Sequence, residues 1–71
     1  MIQKGKYKHF KGSTYEVLGV GVHTETKEQM VVYKEENTQQ LWIRPLHNFM
    51  EEVEKDGKKV QRFTKIVGSP L

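Results

Sequence analysis

The segment His23-Thr24-Glu25-Thr26 brings an imidazole, a carboxylate and two hydroxyl groups together. It follows an apolar run, so it lies at the end of a predicted strand. Residues two apart on a strand share a face, and Glu25 can then fix the tautomer of the His23 ring. The segment would thus present hydrogen bonds to a polar ligand. The alternative is a turn in which the Thr and Glu side chains cap backbone N–H groups.

A second candidate site contains the lone tryptophan, Trp42, two residues before Arg44. On a strand these two side chains share a face, where an indole and a guanidinium can flank a planar or anionic ligand. Tyr33, on the preceding predicted strand, is expected to join them. The alternative is that Trp42 fills the core while Arg44 pairs with a carboxylate such as Glu16 or Glu25.

The first predicted strand carries lysines interleaved with aromatic residues. Alternation places Lys4, Lys6 and Lys8 on one face, and Lys11 follows at the next turn. Such lysines can bind phosphates while a ring stacks on a base, so this strand is the candidate for nucleic-acid binding. The alternative is a solvated face whose lysines discourage edge-to-edge pairing of strands.

Residues suited to catalysis or metal binding are few. Cysteine is absent from the sequence, which excludes disulfides, thiol catalysis and thiolate metal sites. His9, His23 and His47 are too far apart in the chain to resemble a local ligand motif. There is also no glycine-rich phosphate loop. The sequence therefore predicts no catalytic residue, no metal and no cofactor, and an enzyme would need a site completed by oligomerisation.

Length and composition indicate a single small soluble domain. The chain has 71 residues, of which 30% are charged and 35% hydrophobic, and its net charge is +3. No apolar run approaches the roughly 18 residues of a spanning helix, and the start lacks the apolar stretch of a secretory signal. We expect a cytoplasmic protein without membrane association. Its single domain would cover 1–71, with a core over about 4–66 and a frayed tail over 67–71.

Short runs of β-branched and aromatic residues, separated by turn signals, predict an all-β fold. The predicted strands cover residues 6–10, 14–23, 29–34 and 41–44, with a final hairpin of about 50–54 and 58–63. Asp56-Gly57 suits the primed turn of that hairpin, although the acidic run before it can also begin a helix. Gly19 and Gly21 are typical of a bulge. Pro45 ends the fourth strand before a short irregular or helical turn. We predict a partly open, SH3-like barrel of about five strands.

An ordered series of motifs extends over roughly residues 4 to 66. It comprises Gly5-Lys-Tyr-Lys-His-Phe-Lys-Gly12, Tyr15-Glu-Val-Leu-Gly19, His23-Thr-Glu-Thr26, Val31-Val-Tyr33, Leu41-Trp-Ile-Arg-Pro-Leu46, Phe49, Val53, Asp56-Gly57 and Arg62-Phe63. This series resembles the bacterial domain of unknown function 1653 family, and the resemblance implies a small bacterial protein with no settled activity. Two departures are the polar loop at 35–40, where similar sequences often have an aromatic-Gly pair, and Gln61, where they often have proline.

From these observations we expect a binding module rather than an enzyme. It would hold a polar or anionic ligand, or a protein segment, at a rim formed by His23–Thr26, Tyr33, Trp42 and Arg44. One alternative is nucleic-acid binding through the lysines of the first strand, and a second is an enzyme whose site is completed by oligomerisation. The domain is expected to be a monomer or a small homo-oligomer.

Overall fold

Strands account for most of residues 2–66, which are the part of the chain that the structure, a computed structural model, describes. In chain order the elements are β1 Gly5–His9, β2 Thr14–Val22, β3 Gln29–Glu35, β4 Leu41–Pro45, α1 Leu46–Phe49, β5 Glu52–Lys55, β6 Lys58–Gln61 and β7 Phe63–Lys65. The tail predicted for 67–71 lies outside the described residues. No helix in the described part is long and apolar enough to cross a membrane.

The main sheet has five antiparallel strands in the order β4-β3-β2-β1-β7, and β5 and β6 form a separate hairpin. The five-stranded sheet is not closed. The prediction of a small all-β fold with a partly open sheet of about five strands is therefore confirmed, as is the helical turn after the fourth strand.

The turn between β5 and β6 has the predicted local chemistry. Asp56 and Gly57 both have positive φ, 52° and 76°, as the two central residues of a type I′ turn require. Residues 52–55 form a strand, so the alternative of a helix beginning in the acidic run is wrong.

The predicted last strand, 58–63, is wrong at its end because the chain changes sheets at Arg62. Lys58–Gln61 pairs with β5, whereas Phe63–Lys65 pairs with β1. The Arg62 N–H donates to the Glu51 carbonyl at 3.0 Å, and the Arg62 carbonyl accepts the Phe10 N–H at 2.9 Å. These two bonds fix the crossing point, and they place Phe63 in the core of the main sheet.

A bulge in β2 changes which of its residues face the core. Val17 pairs with Tyr33, but the next pair is Gly19 with Val32, so Leu18 is the extra residue. The glycine-marked bulge is confirmed. Strict alternation would have placed Leu18 and Val20 on one face; the register instead puts Val20 on the core side opposite Val31, and Leu18 is 39% exposed.

The core lies on one face of the sheet, which we call the inner face, and α1 covers part of it. The buried side chains are Tyr7, Val17, Val31, Tyr33, Phe49 and Phe63. Phe49 comes from α1, where Pro45 precedes the first helical residue and so ends the strand. The short helix thus seats one large ring against the sheet, and it also brings Asn48 to the inner face.

Candidate functional site

Phe63 is the centre of an aromatic cluster on the inner face. Phe49 stacks flat on it, with ring centroids 4.0 Å apart and an interplanar angle of 2°. His9, Tyr33 and Tyr15 meet it edge-on at 4.9, 5.6 and 5.7 Å. Edge-to-face and stacked pairs are the favoured arrangements of aromatic rings. The cluster therefore forms a rigid floor, to which β1, β2, β3, α1 and β7 each contribute.

Arg44 lies over this floor and is fixed by neutral partners. Its Nε donates to the Tyr33 hydroxyl at 3.1 Å, its Nη1 donates to the Asn48 Oδ1 at 2.7 Å, and its guanidinium carbon is 5.5 Å from the Phe63 ring centroid. None of the ion pairs found among residues 2–66 includes Arg44. The alternative in which Arg44 pairs with Glu16 or Glu25 is therefore wrong, and the half-buried guanidinium has no carboxylate at ion-pairing distance among residues 2–66.

A second guanidinium, that of Arg62, borders the cluster. Its Nη2 contacts the Glu51 Oε1 at 2.7 Å, and its side chain is 21% exposed. Its Nε is buried, with no hydrogen-bond partner among the described residues. Buried polar groups are normally hydrogen-bonded, so this N–H is an unused donor.

His9 meets the rings of Phe63 and Tyr15 edge-on. Its Nδ1 accepts the Lys11 backbone N–H at 3.1 Å, so the neutral ring carries its proton on Nε2. Burial lowers the pKa of His9 below its ordinary value, and the positive charges of Arg44, Arg62 and Lys11 lower that pKa further. Two guanidinium groups and one ammonium group therefore act on this ring, and the Glu51 carboxylate is paired with one of the guanidinium groups.

Trp42 lies at the margin of the same face. It pairs directly with Tyr33 across β3 and β4, and directly paired residues point to the same side of a sheet. Its side chain is 48% exposed, so the alternative of a core tryptophan is wrong. We call this surface the cationic–aromatic face. It consists of His9, Tyr15, Tyr33, Trp42, Arg44, Arg62 and Phe63.

The 23–26 segment is a turn at the far end of the β2–β3 hairpin. The His23 Nδ1 accepts the N–H groups of Glu25 and Thr26 at 3.2 and 3.3 Å, and the Thr26 hydroxyl accepts the Glu28 N–H at 3.2 Å. The Thr26 bond is of the kind that the turn-capping alternative named, but the other capping side chain is His23 and not Glu25. The Thr24 and Glu25 side chains are exposed.

The structure therefore brings three of the predicted site residues together, Tyr33, Trp42 and Arg44, and leaves the turn apart from them. The last β2–β3 pair before the turn is Val22 with Gln29, whereas Trp42 is opposite Tyr33, four residues further along β3. At about 3.3 Å per residue, Trp42 lies more than about 10 Å along the sheet from that pair, whereas Arg44, opposite Val31, lies about 7 Å from it.

The lysines of the nucleic-acid alternative lie on and beside β1. Lys6 forms an ion pair with Glu36, with 3.0 Å between Nζ and Oε2, and it pairs across the sheet with Glu16. Lys8 is opposite Thr14, Lys4 precedes the strand, and the Lys11 ammonium lies 5.8 Å from the Phe10 ring. The outer face of β1 thus carries both signs of charge.

Several residues of the face were not predicted from the sequence. His9 was noted as one of three histidines that are far apart in the chain, and it was not assigned to the site. Arg62-Phe63 is one of the motifs that carry the family resemblance, and this motif was the signal in the sequence that could have identified the two residues. Nothing in the sequence indicated Asn48, because its contact with Arg44 depends on the path of α1.

A metal site and an apolar pocket are two other kinds of site that residues 2–66 could form. Within residues 2–66 no group of three or more His, Asp or Glu side chains is arranged to hold a metal ion. A concavity of about 240 Å³ opens on another side of Phe63, and Ile2, Tyr7, Phe49 and Met50 contribute to its wall. Its one charged lining residue is Lys65. It suits an apolar group better than an anion.

The open five-stranded sheet and its cationic–aromatic face define a small β domain of the partly open barrel class. The chain matches, over residues 5–65, the family described as a protein of unknown function, DUF1653, and it belongs to that family. It is similar to a solved structure of a DUF1653 protein from Bordetella bronchiseptica, with 27% identity and a TM-score of 0.86. The match covers 99% of this chain and 94% of the other. No curated protein matches the chain.

Proposed function

We propose that the domain binds a planar anion, namely a ring that carries a phosphate or carboxylate group, on the cationic–aromatic face. The observation that carries the proposal is the half-buried Arg44 guanidinium, which neutral partners hold in place. A guanidinium presents five N–H donors in a planar fork that matches carboxylate and phosphate oxygens. Tyr33 and Asn48 use two of these donors, which leaves the others for a ligand.

The charges around Arg44 favour an anion over a cation or a neutral group. Arg44, Arg62 and Lys11 all lower the pKa of His9. Arg62 is paired with Glu51, whereas neither Arg44 nor Lys11 forms an ion pair among residues 2–66. An anion among them would offset their mutual repulsion. It would also accept a hydrogen bond from the His9 Nε2, the nitrogen left free by the bond to Lys11.

Trp42 supports the choice of a planar ligand. Its indole is half exposed, on the same side of the sheet as Arg44 and at the open margin of the face. Stacking on an aromatic side chain contributes about 1–3 kcal/mol per base in nucleic-acid complexes. We propose that Trp42 supplies the stacking surface and that Arg44 anchors the charge.

The experiment uses the single tryptophan as its reporter. Adenosine 5′-monophosphate is titrated into the protein while indole fluorescence is recorded, with adenosine and inorganic phosphate as separate arms. We expect a saturable change in indole fluorescence with the monophosphate, and weaker binding of adenosine alone and of inorganic phosphate alone. Arg44→Gln removes the charged anchor and should weaken binding about tenfold or more, since a hydrogen bond to a charged group contributes about 1.5–3 kcal/mol.

Arg44→Lys and Lys58→Gln are the controls. Lysine keeps the charge but lacks the planar fork, so its affinity should fall between that of the wild type and Arg44→Gln. Lys58→Gln removes the same charge from the exposed β5–β6 hairpin and should leave binding unchanged. The proposal fails if the wild type binds neither the monophosphate nor phosphate. It also fails if Arg44→Gln, with an unchanged circular dichroism spectrum, binds as tightly as the wild type.

A further inference from the structure

The edge strand β4 is unusually apolar for its position. It is the outermost strand of the main sheet, and within residues 2–66 no strand pairs with its other edge. Its Leu41, Trp42 and Ile43 side chains are 56%, 48% and 64% exposed. Soluble proteins usually protect such an edge with lysines or charged inward-pointing residues, because unpaired strand edges are templates for association. Residues 41–43 carry no charge.

The register shows which peptide groups of β4 face outward. The Glu35 N–H donates to the Gln40 carbonyl at 2.9 Å, so residues 35 and 40 form a hydrogen-bonded pair. Hydrogen-bonded and non-hydrogen-bonded pairs alternate along an antiparallel ladder. Trp42 opposite Tyr33 and Arg44 opposite Val31 are therefore hydrogen-bonded pairs as well. The N–H and C=O groups of Leu41 and Ile43 point away from β3, and the Leu41 carbonyl accepts a hydrogen bond from the Gln40 Nε2 at 3.1 Å, which strand pairing would replace.

We infer that β4 is an interface between two copies of this chain, in which the two β4 strands pair antiparallel about a two-fold axis beside Trp42. In this register, Leu41 of each chain is opposite Ile43 of the partner subunit. The outward N–H and C=O groups of these two residues are then all hydrogen-bonded. Trp42 meets Trp42 of the partner subunit as the central non-hydrogen-bonded pair, in which side chains approach closely.

The strand itself favours a second copy as the occupant, because it is self-complementary about Trp42. Apolar residues oppose apolar residues, and Arg44 is opposite the neutral Gln40 of the partner subunit, so like charges do not meet along the seam. The hydrogen-bonded ladder between the two β4 strands ends, on each side, at a residue that cannot continue it. Pro45 has no N–H to donate, and Gln39 has a φ of 64°, outside the strand region. An isologous contact of this kind closes as a dimer and does not continue as a fibre.

The dimer does not depend on the proposed function. Trp42 belongs to the inner face, so pairing of the two β4 strands would place two cationic–aromatic faces on the same side of one continuous sheet. Oligomeric state and ligand affinity are separate measurements, so either inference can fail without the other.

Sedimentation velocity across a concentration series tests the inference by charge complementation. The wild type should sediment as a dimer of the 8.4 kDa chain. Trp42→Lys and Trp42→Glu each place like charges opposite one another at the axis and should be monomeric. An equimolar mixture of the two variants should restore the dimer, since Lys then faces Glu. Val22→Lys changes an apolar residue that is 61% exposed on β2 and should remain dimeric.

Ile43→Pro is a second variant that keeps the β3–β4 pairing. The N–H of residue 43 points away from β3, so proline removes a hydrogen-bond donor of the interface and no donor of the main sheet. The variant should therefore also be monomeric. The inference is overturned by a monomeric wild type at every concentration. It is equally overturned if Ile43→Pro stays dimeric, or if the Lys and Glu variants do not associate when mixed.

Discussion

His9 and Arg44 show how the cationic–aromatic face acquires its chemistry from side chains that are distant in sequence. Arg44 is oriented by a tyrosine hydroxyl from β3 and an amide oxygen from α1. His9 is held by the Lys11 N–H and by the rings of Phe10 and Phe63. These contacts fix both groups before any ligand arrives, and a preorganised site loses less conformational entropy on binding.

The lowered pKa of His9 makes folding stability depend on pH. An unfolded chain protonates this histidine at its ordinary pKa near 6.5, whereas the folded chain protonates it only at lower pH. Between the two values the unfolded state binds more protons, so the free energy of unfolding should fall as the pH decreases below about 6.5. It should level off below the folded-state pKa. Urea denaturation at several pH values measures this dependence.

His9→Gln should remove that part of the dependence, because glutamine does not titrate. His47→Gln is the matched control: this side chain is 75% exposed and lies outside the face, so the loss below about pH 6.5 should persist. An identical loss of stability in the His9→Gln variant and the wild type would show that another group is responsible.

At this scale the sequence predicted that Trp42 and Arg44 lie on one face of the sheet, where Tyr33 was expected to join them. It did not predict that His23 lies elsewhere. The spacing of His23 and Glu25 fits a ligand-binding edge and a capped turn equally well, and the backbone of the turn decides between them. The contacts of Arg44 with Tyr33 and Asn48 depend on tertiary structure, which local spacing does not encode.

Among the elements, the β5–β6 hairpin gives the sharpest prediction. Gly57 has a φ of 76°, and a Cβ placed there would meet no atom within 4 Å, so backbone strain is the cost of a side chain. Gly57→Ala should lower the free energy of unfolding by about 1–2 kcal/mol, as expected for an L-residue in the left-handed region. Urea denaturation followed by circular dichroism measures the change.

Gly21→Ala is the matched control for that substitution. Gly21 also faces open space but does not have a positive φ. Alanine in a strand costs less backbone entropy than glycine, so this variant should be as stable as the wild type or more stable by up to about 1 kcal/mol. Equal destabilisation by both substitutions would contradict the assignment of strain to the turn.

The elements that depend on local chemistry were predictable, and those that depend on distant pairing were less so. Asp56-Gly57 specifies its turn through φ alone, and the glycines of β2 marked the bulge. The separate strand β7 was missed, because the break at Arg62 is created by hydrogen bonds to Glu51 and Phe10. The hydrophobic pattern of 58–63 contains no signal of that break.

For the whole molecule, the small core makes α1 critical. A chain of 71 residues has an unfolding free energy of only about 4–10 kcal/mol. Phe49 is 1% exposed and stacks on Phe63. Phe49→Ala should lower the free energy of unfolding by about 3–5 kcal/mol, which is a large part of that stability. Met50→Ala changes a neighbouring residue that is 59% exposed and should cost far less; similar losses from both would contradict the central role of the ring.

The architecture explains why a surface site is possible in so small a protein. An unclosed sheet leaves part of its inner face uncovered, and α1 covers only the part around Phe49. The rest of the inner face retains half-buried rings and guanidinium groups. In a closed barrel, aliphatic side chains would fill the corresponding space. The fold class was predictable from strand and turn patterns. The position of the uncovered part was not, since it depends on which residues α1 and β7 bring to the sheet.

The most direct test of the proposed function is an NMR titration that follows the pKa of His9 with and without adenosine 5′-monophosphate. An anion bound among Arg44, Arg62 and His9 stabilises the protonated imidazole, so saturation with the monophosphate should raise the pKa of His9 and shift the Trp42 indole resonance. An unchanged pKa of His9, at concentrations where shifts elsewhere in the protein show that the ligand binds, would contradict a site on the cationic–aromatic face.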